Sequence, residues 1–451
     1  MANLLVAFIV TVVVSYLIFK KKKPQTVLVA GGIILCAVAI LWGVPMLKGK
    51  ASTGFVWFDI FKFIEDTLSA RTAGMGMMIM AVGGFAKYME QIGASKALVY
   101  ATAKPLSYVK SPYLLLALSY FLGQLLKIAI PSAAGLCVLL MATMYPVLVN
   151  LGVSRLSAAA VIATTPCLDL GPASGTETFA SKIAQVDVAS YFVNVQIPIA
   201  IVTVIAVALT HFFVQRYFDR KEGTAEEKLE IKQEDTVNLP PSIYVILPII
   251  PIILVLVFSK LCVASIKLPV VTAMIMSMII SMTFELIRYR DIKKVFNSVQ
   301  VFFDGMGKMF ATVVSLMVAG ETFAFGLTKI GAIDLIINAA QQSTFGAIGV
   351  VLVMTIIVAV AAVIMGSGNA PFYSFGAMVP SIASKIGVSA TFMITPMQLA
   401  ASIARSASPI TAAVVAVAGV ANVSSVDIVK RTAIPVLVAM VVSVTVTFIL
   451  F

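Results

Sequence analysis

The chain has 451 residues, of which 60% are hydrophobic and 12% charged, and its mean hydropathy is +1.05. A soluble protein of this length could not expose so much apolar surface to water, so the composition predicts an all-α polytopic membrane protein. The net charge of +12 argues for cytoplasmic loops rather than for a nucleic-acid partner, because the basic residues cluster at the ends of apolar runs, as at 20–23 and 288–294.

Cysteine and histidine are too sparse for a metal or disulfide framework. The four cysteines lie far apart in or beside apolar sequence, and His211 is the one histidine of the chain. This argues against disulfides and against a zinc site, and we expect no cofactor. An intramembrane enzyme is disfavoured too, because the chain lacks a plausible serine-histidine pair, a paired-aspartate motif and H-E-x-x-H.

The apolar runs predict ten full spans of about 20 residues each. Lysines follow the first run and no small-residue cleavage pattern does, so we expect a first span rather than a signal peptide. In chain order the predicted spans lie near 2–19, 26–46, 70–92, 155–182, 189–214, 243–259, 268–287, 305–328, 390–421 and 426–450.

Two further apolar segments, 112–151 and 345–386, are too long to be loops. Each contains an unhelical motif at its middle: IPSAAG at 130–135 and MGSGNAP at 365–371. Irregular backbone at membrane depth is tolerated only where it is buried in protein or lines a watery cavity. We therefore predict two re-entrant hairpins with these motifs at their tips, a pattern typical of secondary transporters.

The chain repeats itself on either side of a polar linker, 216–241. Ser132 and Ser367 lie 235 positions apart, and so do Ser154 and Ser389. The predicted domains are a first repeat, 1–215, and a second repeat, 242–451. Five full spans per repeat would insert the second copy upside down, so an inverted repeat is expected. The basic residues favour both termini outside.

An amphipathic stretch follows the second span of each repeat, at 55–67 and 291–303. Its aromatic and aliphatic residues suit a helix in the membrane interface. Ordinary connecting helices and arms that brace a moving domain are both open interpretations.

Small and hydroxyl residues at the hairpin tips would bring backbone N–H groups close to a ligand, next to a helix N-terminus that favours carboxylates. The spans after each hairpin are broken too, at 170–176 and 406–411, where proline frees a carbonyl that could bind sodium. Kinked helices with small packing residues are the alternative interpretation. The predicted substrate-binding residues are Ser132, Ala133, Ala134, Gly135, Ser174, Gly175, Thr176, Ser367, Gly368, Asn369, Arg405, Ser406, Ser408 and Thr411.

Arg405 is a charged residue in the second broken span. Arginine at this depth costs at least about 2.5 to 3.5 kcal/mol, so it faces a cavity or a partner. It could grip a substrate carboxylate with two hydrogen bonds, or pair with Asp169 or Glu177 of the first broken span. Those two acids are also candidates for coupling to H⁺ or Na⁺. Structural ion pairs are expected for Lys127, Lys308 and Glu321, and an interfacial position for His211.

Several segments resemble the DcuC family of bacterial anaerobic four-carbon dicarboxylate carriers, and the likeness covers nearly the whole chain. They are SPYLL at 111–115, GLCVLLMAT at 135–143, GSGNAPFY at 366–373, VVAVAG at 414–419 and VKRT at 429–432. The segment 164–179 is more acidic here than in the family pattern. The extra acid could tune coupling or favour a substrate with an amino group.

The resemblance implies an inner-membrane carrier for succinate, fumarate, malate or aspartate. It also implies a homodimer with a scaffold and a mobile elevator domain, to which the hairpins and broken spans would belong. The alternative is a sodium/proton antiporter or inorganic-anion exporter on the same scaffold. An antiporter would centre on a titratable acid such as Asp169, and a dicarboxylate carrier on a cation such as Arg405.

Overall fold

The computed structural model describes residues 2–20, 22–47, 49–103, 106, 109, 111–223, 239–266, 268–332 and 346–451. These residues form helices and no strands. The predicted linker, 216–241, is described only at its two ends, and 224–238 lie outside the described residues, as does position 345 of the second predicted hairpin.

The helices of the first half are α1 (Ala2–Phe19), α2 (Pro24–Leu41), α3 (Val56–Arg71), α4 (Met77–Gln91), α5 (Ala94–Ala103), α6 (Pro112–Ala129), α7 (Ala133–Asn150), α8 (Arg155–Thr164), α9 (Gly175–Ile183), α10 (Val188–Tyr191) and α11 (Ile197–Glu222). Those of the second half are α12 (Ile250–Val257), α13 (Val270–Tyr289), α14 (Ile292–Met309), α15 (Ser315–Lys329), α16 (Gly346–Met365), α17 (Asn369–Gly376), α18 (Val379–Ile386), α19 (Ala390–Ala404), α20 (Ala412–Ala421) and α21 (Ser425–Leu450).

Both amphipathic stretches continue directly into the next span. A π-helical turn at Thr72–Gly76 joins α3 to α4, and one at Phe310–Val314 joins α14 to α15. The two stretches are therefore the first parts of long helices, the first of which is kinked at Gly74. Their position in the membrane interface stays a prediction.

Nine helical stretches of the described residues are long and apolar enough to cross a membrane. The set differs from the predicted spans. It includes α6, α7 and α16, and it omits the predicted spans that contain α1, α4, α8 and α12. An 18-residue helix such as α6 rises about 27 Å, close to the thickness of the hydrocarbon core of about 30 Å. Whether α6 and α7 form a re-entrant hairpin stays a prediction.

The break between α6 and α7 has a local cause. Ile130 leaves the helical region, with φ −119° and ψ 86°, and Pro131 has no N–H to donate. Ser132 then caps α7, its hydroxyl accepting a hydrogen bond from the N–H of Gly135 at 3.1 Å. We call α6 and α7 the first hairpin.

The second hairpin consists of α16, α17 and α18, and glycines make its break. Gly366 has φ +65°, a left-handed conformation that suits glycine. A Cβ on Gly368 would lie 2.3 Å from the carbonyl oxygen of Ala401, so only glycine lets this turn pack against α19. The tip is therefore held against the rest of the protein.

Two helices are interrupted, and each has a proline in the break. The first broken helix is α8 and α9, and its break, 165–174, begins earlier than the predicted 170–176 because Pro166 cannot donate to the preceding turn. The second is α19 and α20, separated by a short 3₁₀ turn at Arg405–Ala407 and by Pro409.

Each hairpin packs against the broken helix of the opposite half. In the first hairpin α7 contacts α20, and in the second hairpin α17 contacts α9. Contacts between the two halves also join α2 to α15 and α4 to α13. Buried apolar side chains form one large core around the hairpins and broken helices and another around α4, α5, α12, α13 and α14. The predicted hairpins and broken helices thus form one packed body, which lies beside a second body with its own apolar core.

Candidate functional site

A cavity of about 610 Å³ lies between these two bodies. One wall is formed by α4 and by the long helix of α14 and α15, including Val82, Gly83 and Met309. The opposite wall contains the tip of the first hairpin, the first break, Arg405, and Asn369 and Tyr373 from α17. The cavity is thus built from both halves of the chain.

An ion triad lies in the wall of this cavity. Lys127 Nζ lies 2.7 Å from Asp169 Oδ1, and Arg405 Nη2 lies 2.9 Å from the same oxygen. All three residues are buried, and Asp169 and Arg405 line the cavity. Two cations share one carboxylate, so the triad carries one net positive charge.

The triad is tied to two breaks through backbone carbonyls. Lys127 Nζ also donates to the carbonyl of Pro131 at 2.8 Å, which is the tip of the first hairpin. Arg405 Nη2 also donates to the carbonyl of Pro166 at 2.8 Å, which lies in the first break. Movement of either break would therefore disturb the charges.

Buried amide side chains hold the first break in place. Gln196 and Gln398 both donate to the carbonyl of Asp169, at 3.4 and 3.2 Å, and Gln124 donates to that of Leu168 at 2.9 Å. The carbonyl of Gly171 accepts from the N–H of Ser174. Together with Pro166, four carbonyls of this break therefore already have donors, which makes them poor sodium ligands in this arrangement.

Nine of the predicted substrate-binding residues line the cavity. They are Ser132, Ala133, Ala134, Gly135, Ser174, Gly175, Thr176, Asn369 and Arg405. Ser132, Ser174 and Gly368 precede the first turns of α7, α9 and α17. The N-termini of three helices are thus grouped around the cavity, an arrangement that favours anions.

The structure does not bring the other five predicted residues to the cavity. Gly368 packs on the backbone of Ala401, and the hydroxyl of Thr411 donates to the carbonyl of Arg405 at 2.6 Å. The remaining three, Ser367, Ser406 and Ser408, are not among its lining residues either.

Glu177 differs sharply from Asp169, although both were predicted as coupling acids. Its side chain is fully buried in α9, and neither carboxylate oxygen accepts a hydrogen bond from the described residues. The N–H of Gly171, which faces it, donates to Gln196 Oε1 at 3.2 Å instead. Glu177 is therefore a buried acid that Arg405 does not neutralise.

Three residues in or directly behind the cavity lining are not among the predicted substrate-binding residues. Lys127 was expected only to form a structural pair, but its position four residues before Pro131 at a hairpin tip is a signal that could have marked it. Tyr373 belongs to the GSGNAPFY segment and lines the cavity. Lys308 lines the cavity instead of pairing with an acid among the described residues.

Two other predictions concern Glu321 and His211. Glu321 forms the expected ion pair, with Arg71 at 2.5 Å. His211 is fully buried within the protein and bonds to Thr164 Oγ1 at 2.7 Å and to Gln215, and its depth in the membrane stays a prediction. Thr164 of α8 and Gln215 of α11 provide these polar partners.

Comparison with known proteins matches residues 2–451 to the family described as "DcuC: C4-dicarboxylate anaerobic carrier". The anaerobic C4-dicarboxylate transporter DcuC of Escherichia coli K12 is 39% identical over 446 residues, which cover 99% of this chain and 96% of that protein. The probable anaerobic C4-dicarboxylate transporter DcuC of Vibrio cholerae is 37% identical over 443 residues, covering 98% and 96%.

Two solved transporters share the fold. The YdaH transporter of Alcanivorax borkumensis superposes with a TM-score of 0.61 at 16% identity, covering 95% of this chain and 98% of that chain. MtrF of Neisseria gonorrhoeae, from a class of antimetabolite efflux pumps, superposes with a TM-score of 0.58 at 13% identity, covering 95% of each chain.

Proposed function

Because the chain belongs to the DcuC family of C4-dicarboxylate anaerobic carriers, we propose that it transports succinate, fumarate, malate or aspartate across the bacterial inner membrane. The protein is a multi-pass membrane transporter and not an enzyme. The observation that carries the proposal is the position of Arg405 in a cavity lined by the breaks of both halves.

The charges of the cavity suit a dianion. Its lining contains the cations Lys87, Lys308 and Arg405 and the acids Glu90 and Asp169, and Lys127 lies directly behind Asp169. Counting Lys127, four positive charges face two negative charges. A substrate with two carboxylates would neutralise the remainder, whereas a monocarboxylate would leave one charge uncompensated in a partly desolvated site.

The two carboxylates would bind different groups. The planar guanidinium of Arg405 would make a bidentate contact with one carboxylate. The second carboxylate would reach the N-terminus of α7, where the first N–H groups of the helix have no partner four residues earlier. Ser132 and Asn369 add polar contacts at the tips.

Alternating access would move the hairpins and broken helices against the α4 and α14 wall. The separate apolar core of that wall supports its role as a scaffold. Within the wall, α4 and α14 cross in close contact. A Cβ on Gly84 would lie 2.6 Å from the carbonyl oxygen of Phe302. An elevator movement, an inverted repeat and a homodimeric assembly are all parts of this proposal.

Coupling to a cation would use Glu177 rather than Asp169. A fully buried carboxylate without a hydrogen-bond donor is strongly unfavourable, so Glu177 would be neutral here and would release a proton only when its surroundings change. Tyr191 is a titratable side chain close to it. The engaged carbonyls of the break favour H⁺ over Na⁺ as the coupling ion.

The decisive experiment is counterflow in proteoliposomes containing the purified protein. Labelled succinate outside should accumulate when unlabelled succinate, fumarate, malate or aspartate is inside, and should not when a monocarboxylate such as lactate is inside. Sodium-dependent proton flux without dicarboxylate exchange would instead favour the antiporter alternative.

A further inference from the structure

We propose that Asp169 is a tethered counter-anion, which neutralises Arg405 while no substrate is bound and is displaced from it by a substrate carboxylate. The inference rests on the proposed dicarboxylate function and assigns the exchange of partners that accompanies binding.

The two cations of the triad are held in different ways. Lys127 is 1% exposed at its side chain and is anchored by the Pro131 carbonyl, so it stays beside Asp169. Arg405 lines the cavity, and its side chain is 10% exposed. If Arg405 turned toward a ligand, Asp169 would still have Lys127 as a partner at 2.7 Å.

This arrangement solves a charge problem of the binding site. An unpaired arginine at membrane depth is unfavourable, so a site that relies on Arg405 needs an anion whether or not substrate is present. Asp169 supplies that anion within the protein. Because the carboxylate is shared by two cations, giving up Arg405 leaves no isolated negative charge behind.

A tethered counter-anion competes with the substrate, and this separates it from a structural clamp. If Asp169 only positioned Arg405, removing its charge would loosen the arginine and weaken binding. If it competes, removing its charge frees Arg405 and strengthens binding. In the competition scheme, removing Lys127 has the opposite effect. Without Lys127 the Asp169 carboxylate pairs with Arg405 alone, so it competes more strongly with the substrate.

The test measures equilibrium binding of labelled succinate to the purified protein and to three variants. We expect Asp169→Asn to bind more tightly than the parent by about tenfold, and Lys127→Met to bind more weakly. The double variant K127M/D169N should bind more tightly than Lys127→Met alone. In counterflow, Asp169→Asn should show a lower KM together with a lower maximal rate, because release is no longer assisted.

Asp219→Asn is the matched control. Asp219 forms a buried ion pair with Arg431 at 2.8 Å outside the cavity, so its loss should lower the melting temperature without tightening succinate binding. The counter-anion role would be refuted if Asp169→Asn weakened succinate binding in both the parent and the Lys127→Met backgrounds. Each variant must elute and melt as a folded protein for this comparison. If the parent itself bound no dicarboxylate, the proposed function would fail instead.

Discussion

Arg405 Nη2 lies 2.9 Å from Asp169 Oδ1, although the two residues are 236 positions apart and belong to different halves of the chain. The contact joins the breaks of the two interrupted helices at the wall of one cavity. A substrate bound there would contact both halves, so any relative movement of the two breaks would change its binding. Four predictions follow from this geometry and from the buried charges around it.

Replacing Arg405 with lysine should weaken succinate binding by about 2 to 5 kcal/mol, because a point charge cannot reproduce the planar fork of the guanidinium. Binding of labelled succinate to the purified variant measures this loss. Arg71→Lys is the matched control, since Arg71 also pairs with an acid but lies outside the cavity lining. Equal affinities for Arg405→Lys and the parent would show that Arg405 acts as a point charge or has a structural role.

Leucine at Ser132 should abolish counterflow without unfolding the protein, because the side chain would extend into the cavity at the tip of the first hairpin. Asn369→Leu should do the same from the second hairpin. The matched control is Ser424→Leu, because Ser424 caps α21 as Ser132 caps α7, but at an exposed site away from the cavity. Loss of either cap costs about 1 kcal/mol of stability, so the two variants differ mainly in whether leucine enters the cavity. Wild-type counterflow in Ser132→Leu would contradict the assignment of the tip.

Replacing Glu177 with glutamine should separate exchange from coupled uptake. Carrying a dianion inward against 100 mV costs about 4.6 kcal/mol, at about 2.3 kcal/mol per charge, so concentrative uptake needs co-transported cations while exchange of equal charges does not. We expect Glu177→Gln to retain succinate counterflow and to lose uptake driven by a pH gradient.

The measurement is net uptake and counterflow in the same proteoliposomes, with pH and sodium gradients imposed separately. Glu321→Gln serves as the control, because Glu321 is an acid already paired with Arg71. Undiminished proton-driven uptake by Glu177→Gln would exclude Glu177 as the coupling acid. The whole coupling scheme would be excluded if the parent concentrated succinate against an interior-negative potential with neither gradient and no counter-substrate.

Removing Arg431 should destabilise the protein more than removing its neighbour Lys430. Arg431 is 2% exposed and pairs with Asp219, which is 1% exposed, so Arg431→Met removes the cation of a buried ion pair. We expect a loss of about 3 to 5 kcal/mol, read as a lower melting temperature in detergent. Lys430→Met breaks only the exposed pair with Asp427 and should cost at most about 1 kcal/mol. Similar melting temperatures for the two variants would contradict this ranking.

Much of the local structure could be predicted because it has local causes. Pro131 and Pro409 cannot donate to a preceding turn, and Gly366 adopts φ +65°, so the breaks occur near where the residue types require them. Long apolar runs require helices that satisfy their own backbone in lipid. The segments that resemble the DcuC family gave an assignment that the whole-chain match confirms.

The sequence by itself therefore determined the fold class, the approximate positions of the breaks and the family. Only the tertiary structure decided which acid pairs with Arg405. Asp169 and Glu177 are eight positions apart across a stretch without helical periodicity, so no spacing rule gives the directions of their side chains. Among the described residues Asp169 pairs with two cations and Glu177 with none, because the packing of α9, the first hairpin and the break after α19 brings Lys127 and Arg405 to one Asp169 oxygen and not to Glu177.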